Sequence, residues 1–237
     1  MKKILIFGGT IDGRELAERL ASDKGLEVTL SVATEFGKSL IGDGINTIVG
    51  RLEKNEIEHL ISSFDIVVDA THPYAKIISK NILDVKKDKK LYRLIRDESN
   101  LDGVIEAKGI KDACDKCSEG NILAATGSKQ IAQYTNLKRV YARVLPTKES
   151  VLLCKLAGLK EENIIERFGK SSVKENLEII EKYDIKNLIT KDGGKRGGFE
   201  EKKEAARIAG INFIVIKRPK EEGYHLEELI ELLGGTK

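Results

Sequence analysis

Residues 3–14, Lys-Ile-Leu-Ile-Phe-Gly-Gly-Thr-Ile-Asp-Gly-Arg, decide the fold class. Lys3–Phe7 is a short apolar run of strand type that stops at Gly8-Gly9. From Asp12 to Ser22, the residues Leu16, Ala17, Leu20 and Ala21 recur at helical spacing. Asp12, with Glu15 three residues later, has the pattern of a capping box. A strand, a glycine turn and a helix in that order open a βαβ unit. The glycines allow close backbone approach to a ligand, and the N–H groups and positive dipole end of the helix favour phosphate. The spacing is not G-x-G-x-x-G, so by itself the turn leaves a plain strand-to-helix connection open.

The same alternation continues outward. Strands are expected at Leu26–Ser31, Asn46–Val49, Asp65–Asp69 and Lys90–Ile95, with helices at Glu53–Ser62 and Tyr74–Val85. In the second helix, Ile77, Ile78, Ile82 and Val85 form the apolar stripe. A second set has strands at Asn121–Ala125, Arg139–Val144, Asn163–Glu166, Asn187–Thr190 and Asn212–Ile216. Its helices are Ser150–Ala157, Val173–Lys182, Glu200–Ala209 and Leu226–Leu233. Strands separated by helices imply parallel sheets with right-handed crossovers. About ten strands exceed what one open sheet comfortably holds. The expected class is therefore α/β, with two Rossmann-like doubly wound parallel-sheet domains, 1–105 and 106–237, joined around Asp97–Gly109.

At 237 residues the chain can bury roughly 70% of its unfolded surface without a disulfide or metal staple. A net charge of +3 argues against a DNA-coating protein, and 5% aromatics with no Trp argue against base stacking. The apolar run at the N-terminus is too short for a signal peptide, and no stretch reaches membrane-spanning length. A cytoplasmic protein with no nucleic-acid or membrane partner is expected. Cys114, Cys117 and Cys154 are an odd set, unsuited to a disulfide framework. The C-x-x-C of Cys114 and Cys117 has no second Cys/His pair at zinc spacing, so no metal is expected, and Cys154 reads as core. Lys86–Lys90 reads as a solvated loop.

Ligands of open α/β sheets lie beyond the carboxyl ends of the strands, so the residues just after each strand are the candidates. Gly8, Gly9, Thr10, Asp12 and Arg14 follow the first strand as a nucleotide turn. Ser31, Ala33 and Thr34 follow the second, where adenosine ribose is met; a carboxylate such as Glu35 accepts from a 2′-OH and repels a 2′-phosphate, which favours NADH. Asp69-Ala70-Thr71-His72-Pro73-Tyr74-Ala75 is the most unusual string. Pro73 suits the first helical position, with Thr71 or His72 near the N-cap. His72 is the histidine placed to donate a proton near neutral pH. His59 and His225 read as bystanders. In the second half, Thr126-Gly127-Ser128-Lys129 opens a short helix after a strand, too short for a P-loop. Arg143, Lys191 with Gly193, and Arg218 also follow strands, so Lys129, Arg143, Lys191 and Arg218 form a cationic rim suited to a carboxylate-rich ligand. The glycine cluster from Gly193 to Gly198 reads as a tightly turned or mobile loop. No G-x-S-x-G supports a serine hydrolase.

These strings, in this order, resemble the precorrin-6A reductase family of cobalamin biosynthesis over nearly the whole chain. DATHPYA at 69–75 is the specific element; Gly8-Gly9-Thr10 with Arg14, Thr126-Gly127-Ser128, Arg143 with Pro146, Thr190-Lys191 with Gly193, and Arg218-Pro219 support it. Ser31-Val32-Ala33-Thr34 with Gly37, and Gly50-Arg51-Leu52, look like the anaerobic, cobalt-precorrin branch. The resemblance implies two Rossmann-like domains with an exchanged strand and a cleft between them. It also implies a nicotinamide cofactor, NADH with NADPH as the alternative, that delivers hydride to C19 of (cobalt-)precorrin-6A. The C18=C19 bond of this polycarboxylate corrinoid is thereby reduced to give (cobalt-)precorrin-6B. Gly8, Gly9, Thr10, Asp12, Arg14, Ser31, Ala33, Thr34, Asp69, Ala70 and Thr71 would hold the cofactor. Tyr74, Thr126, Gly127, Ser128, Lys129, Arg143, Lys191, Gly193 and Arg218 would meet the substrate, and the proton for C18 would come from His72 or water. Where the family often carries G-P-F-[ST], this chain has Arg167-Phe168-Gly169-Lys170-Ser171. The competing readings are another NAD(P)H-dependent reductase on the same scaffold and a non-catalytic nucleotide-sensing module.

Overall fold

A computed structural model describes residues 1–42, 44–134, 137–194 and 197–234. The chain divides into two compact units, Met1–Asp97 with Pro219–Lys237, and Glu98–Arg218.

In the first unit the elements run β1 (Lys2–Phe7), α1 (Ile11–Ala21), β2 (Leu26–Val32), α2 (Glu35–Ser39), β3 (Asn46–Val49), α3 (Lys54–Ser62), β4 (Ile66–Asp69), α4 (Lys76–Val85) and β5 (Lys90–Arg93). The strands pair in parallel in the order β3-β2-β1-β4-β5. Period-two alternation along β1 splits the core between two faces. Ile4 and Ile6 pack with Leu16, Leu20 and Leu30, whereas Leu5 and Phe7 pack with Ile57, Ile61 and Ile82. A strand buried on both faces has to be continuously apolar, which is why Ile4-Leu5-Ile6 could be read as β1. The order reverses between β1 and β4, so their carboxyl ends frame the switch point of this sheet.

In the second unit, β6 (Ile105–Ala107), α5 (Ile110–Asp115), β7 (Asn121–Ala125), β8 (Val140–Val144), α6 (Lys148–Leu156), β9 (Ile164–Glu166), α7 (Val173–Lys182), β10 (Ile185–Lys191), α8 (Phe199–Ala209) and β11 (Asn212–Ile216) follow in turn. The sheet is again parallel, ordered β6-β11-β10-β7-β8-β9, with its switch point between β7 and β10. Phe199 and Phe213 meet edge-on at 5.5 Å in the core.

The expected doubly wound α/β class is what the two sheets show. The details differ in four places. β6 and α2 are too short, at three and five residues, to leave a periodic signal. The units part at 97/98 rather than 105/106, and the chain from Pro219 belongs with the first unit. There Tyr224 forms a parallel bridge to Leu94, and α9 (Leu226–Leu233) puts Leu229, Ile230 and Leu233 into the core around α1. α4 starts at Lys76, not Tyr74, because His72–Ala75 closes a turn in which the Ala75 N–H donates to the His72 carbonyl at 2.7 Å. Pro73 therefore sits in that turn, and Ile77 is 81% exposed rather than part of the buried stripe. Finally, Thr10, not Asp12, caps α1. No helix among the described residues is long and apolar enough to cross a membrane.

Candidate functional site

The turn after β1 is built by glycines for two different reasons. A Cβ on Gly8 would lie 2.6 Å from Leu30 Cδ1 of the neighbouring strand, so any larger residue requires that buried side chain to shift. Gly9 has φ +112°, and a Cβ there would meet nothing within 4 Å, so the backbone is bare on an open side. Thr10 Oγ1 accepts from the Gly13 N–H at 3.0 Å and donates to the Ala70 carbonyl at 3.0 Å, which ties the β1 turn to the β4 turn across the switch point. Asp12 lies in the first turn of α1, paired to Arg96 Nε at 2.7 Å. The guanidinium cancels a carboxylate that would otherwise repel an anion at this helix end. Arg14 reaches the Leu40 carbonyl at 2.9 Å, away from the turn.

The loop after β4 is held by a buried charge network. Asp69 Oδ1 accepts from the Thr71 N–H at 3.0 Å and from Thr71 Oγ1 at 2.7 Å. Arg93 Nη1 donates to the same oxygen at 2.8 Å, and its Nη2 reaches Glu221 at 2.7 Å. Asp69 and Thr71 are thereby committed to shaping the loop, while Ala70 abuts Gly13. His72 Nδ1 accepts from the Tyr74 N–H at 3.3 Å, and the two rings lie 5.6 Å apart. In the neutral imidazole this leaves the proton on Nε2. Within β2, Ser31 is buried opposite Phe7, whereas Ala33 and Thr34, just beyond the strand, are exposed, Thr34 capping α2. Glu35, Lys38, Ile41 and Thr47 help to line an open cavity of about 440 Å³.

In the second unit, Thr126 is buried against Tyr134 Oη at 3.0 Å, and Gly127 takes φ +87°. Ser128 and Lys129 begin a 3₁₀ segment, Ser128–Gln133, with Lys129 exposed. Lys191 is partly buried, and loss of solvent pulls its ammonium below the ordinary lysine value. Asp192, buried, accepts from Ser99 Oγ at 2.6 Å and from the Gly194 N–H at 3.2 Å, and its other oxygen faces Arg218 Nε at 3.4 Å. Arg218 thus orients the turn that carries Gly193. Lys195 and Arg196 of the glycine cluster lie outside the described residues. Arg143 Nη1 donates to Asn176 Oδ1 at 2.7 Å, and desolvation, with repulsion from Arg167, brings the guanidinium down to about 10.

Three residues that sequence reading passed over matter here: Arg93, Arg96 and Lys202. Lys202 is 8% exposed, and its Nζ donates to the Gly197 and Gly198 carbonyls at 2.7 and 3.0 Å. Desolvation first, then the charge of Arg143, lowers it to about 7. Between about pH 7 and the ordinary lysine value of 10.5, the unfolded chain holds a proton that the folded chain has released. Folding therefore gains stability as pH rises through that window. Nothing local marks Lys202 in the run Glu200-Glu201-Lys202-Lys203. Cys117 donates to the Ala113 carbonyl, and burial pushes its thiol up to about 12, which disfavours the thiolate. Among the described residues no cluster suits a metal ion, and Cys154 is core.

Residues 3–234 match the family of precorrin-6x reductases CbiJ/CobK. The cobalt-precorrin-6A reductase of Salmonella typhimurium is 35% identical over 230 residues, 91% of this chain and 87% of that one. That of Methanocaldococcus jannaschii is 32% identical over 228 residues, covering 92% and 90%. The solved structure of CobK precorrin-6A reductase, 21% identical, has the same fold, with a TM-score of 0.77 over 99% of this chain and 96% of that one. A family match over nearly the full length, on a scaffold of two parallel sheets, makes this chain a member of the precorrin-6x reductase family.

Proposed function

We propose that the chain is a cobalt-precorrin-6A reductase that uses NADH to reduce the C18=C19 bond of its corrinoid substrate. The observation that carries the reading is the bare turn at Gly8-Gly9, set at the β1/β4 switch point of a reductase-family chain. The residues present fit a dinucleotide. Gly8 and Gly9 keep side chains away from the phosphate path, Thr10 fixes the turn, and α1 presents its positive end with Asp12 neutralised by Arg96. The open cavity beyond β2 and β3 suits the adenosine end, and Glu35 on its wall favours a free 2′-OH over a 2′-phosphate. When bound, the reduced nicotinamide supplies the hydride. In the second unit, Lys129, Lys191 and Arg143 provide positive charge for acetate and propionate arms, Thr126–Ser128 and Gly193 shape the turns, and Arg218 acts through Asp192.

The test is anaerobic mixing of the protein with cobalt-precorrin-6A and either dinucleotide, following the reduced-nicotinamide absorbance and the corrinoid spectrum together. NADH should be consumed in step with the corrinoid, with the higher kcat/KM of the two. NADH binding without oxidation by any tetrapyrrole would favour a sensor instead.

His72 carries the second expectation. As the imidazolium, with Nδ1 protonated and released from the Tyr74 N–H, His72 would donate the C18 proton from Nε2 and return to the neutral ring, contributing about 10²-fold to turnover. His72→Ala should lower kcat by about that factor and leave the Kd for NADH unchanged; unaltered turnover assigns the proton to water.

A further inference from the structure

A cation taken out of water is ordinarily paired with a carboxylate, because nothing else offsets its lost hydration. Beyond the carboxyl ends of this unit's strands several cations obey this rule. Arg167 faces Glu175, Lys170 faces Glu201 and Arg218 faces Asp192. Two do not. Arg143 Nη1 has only neutral acceptors, Asn176 Oδ1 at 2.7 Å and Ser171 Oγ at 3.4 Å. Lys202 Nζ has only the carbonyls of Gly197 and Gly198. Neither is in ion-pair contact with a carboxylate among the described residues.

The two charges also repel each other. Arg143 and Lys170 disfavour the charge on Lys202, and Arg167 disfavours that on Arg143. Glu175 and Glu201 act in the opposite direction, but each is already the partner of a nearer cation. Four cations from β8, the β9–α7 connection and α8 therefore face two carboxylates. Two of the three ammonium donors of Lys202 are in use, and Arg143 keeps Nε and Nη2 without a protein acceptor among the described residues. A residue kept here for packing alone would be apolar, since an ammonium at this depth costs stability at every pH where it is charged.

We propose that Arg143 and Lys202 form a subsite for one carboxylate arm of the substrate, the ligand supplying the counter-charge that the protein omits. The inference rests on the reading of the substrate as a polycarboxylate tetrapyrrole, but it can be tested apart from it. A bound carboxylate favours the protonated amine, so binding should draw a proton onto Lys202 and weaken as pH rises above neutrality.

The experiment uses the full chain carrying lysine labelled with ¹³C at Cε, the Lys202 resonance being assigned by its loss in Lys202→Met. The probe is uroporphyrin III, a stable tetrapyrrole fringed with acetate and propionate arms. Lys202 should titrate near neutrality in the free protein and about one pH unit or more higher with the probe. Sodium sulfate at equal ionic strength should not move it. In turnover, Lys202→Met should raise KM for the corrinoid about tenfold at pH 7 with KM for NADH unchanged, and Lys202→Arg should restore KM and flatten its rise with pH. A Lys202 titration that the probe leaves in place overturns the subsite, whether or not the protein oxidises NADH. A shift equal to that in sulfate overturns its carboxylate assignment. A shift specific to the probe, in a protein that turns over no corrinoid, upholds the subsite and fails the proposed function.

Discussion

Arg93→Leu is expected to destabilise the first unit by about 3–5 kcal/mol, the cost of leaving one partner of a buried ion pair behind. Asp69 is 4% exposed, and its carboxylate at the end of β4 would keep only the Thr71 N–H and hydroxyl. Arg93 also donates to the Asp69 carbonyl at 3.2 Å and grips Glu221 through Nε at 3.0 Å and Nη2 at 2.7 Å. One side chain therefore holds the loop carrying His72 and the segment that returns from the second unit. Arg93→Lys should recover only part of the loss, because a point charge cannot reproduce a fork that spans two carboxylates. Urea unfolding of the three proteins measures this. A loss below about 1 kcal/mol for Arg93→Leu would show that the network is dispensable.

Gly13→Val should strike the nucleotide turn itself. A Cβ on Gly13 would stand 2.9 Å from Ala70 Cβ, 3.2 Å from the Ala70 carbonyl and 3.3 Å from Thr10 Oγ1. None of these is the loose end of a long side chain, so α1 has to move off the β4 turn. Overpacking of this kind costs about 1–3 kcal/mol of stability. The displacement also breaks the link between Thr10 and Ala70, and a shift of about 1 Å in positioning groups is worth roughly 10²-fold in rate. The expected result is a fall of about a hundredfold in kcat/KM for NADH, with a lower unfolding midpoint. Wild-type kinetics in Gly13→Val would remove the turn from the cofactor site.

The amino-acid pattern determined what depends on neighbours in the chain. The apolar run of β1 and the stripe of α9 are local features, each legible because a strand or helix repeats every two or 3.6 residues. The glycines after β1 were legible as a turn directly following an apolar run, and Gly9 there takes φ +112°, which residues with a side chain rarely adopt. Tertiary structure alone decided which sheet α9 covers, because its stripe of Leu229, Ile230 and Leu233 would suit either one. It also decided that Arg93 meets a carboxylate 128 residues away, that Arg96 neutralises Asp12, and that Lys202, alone among its charged neighbours in α8, is turned inward without a carboxylate. Burial and ion pairing are set by residues far apart in the chain, and a short-range pattern carries no record of them.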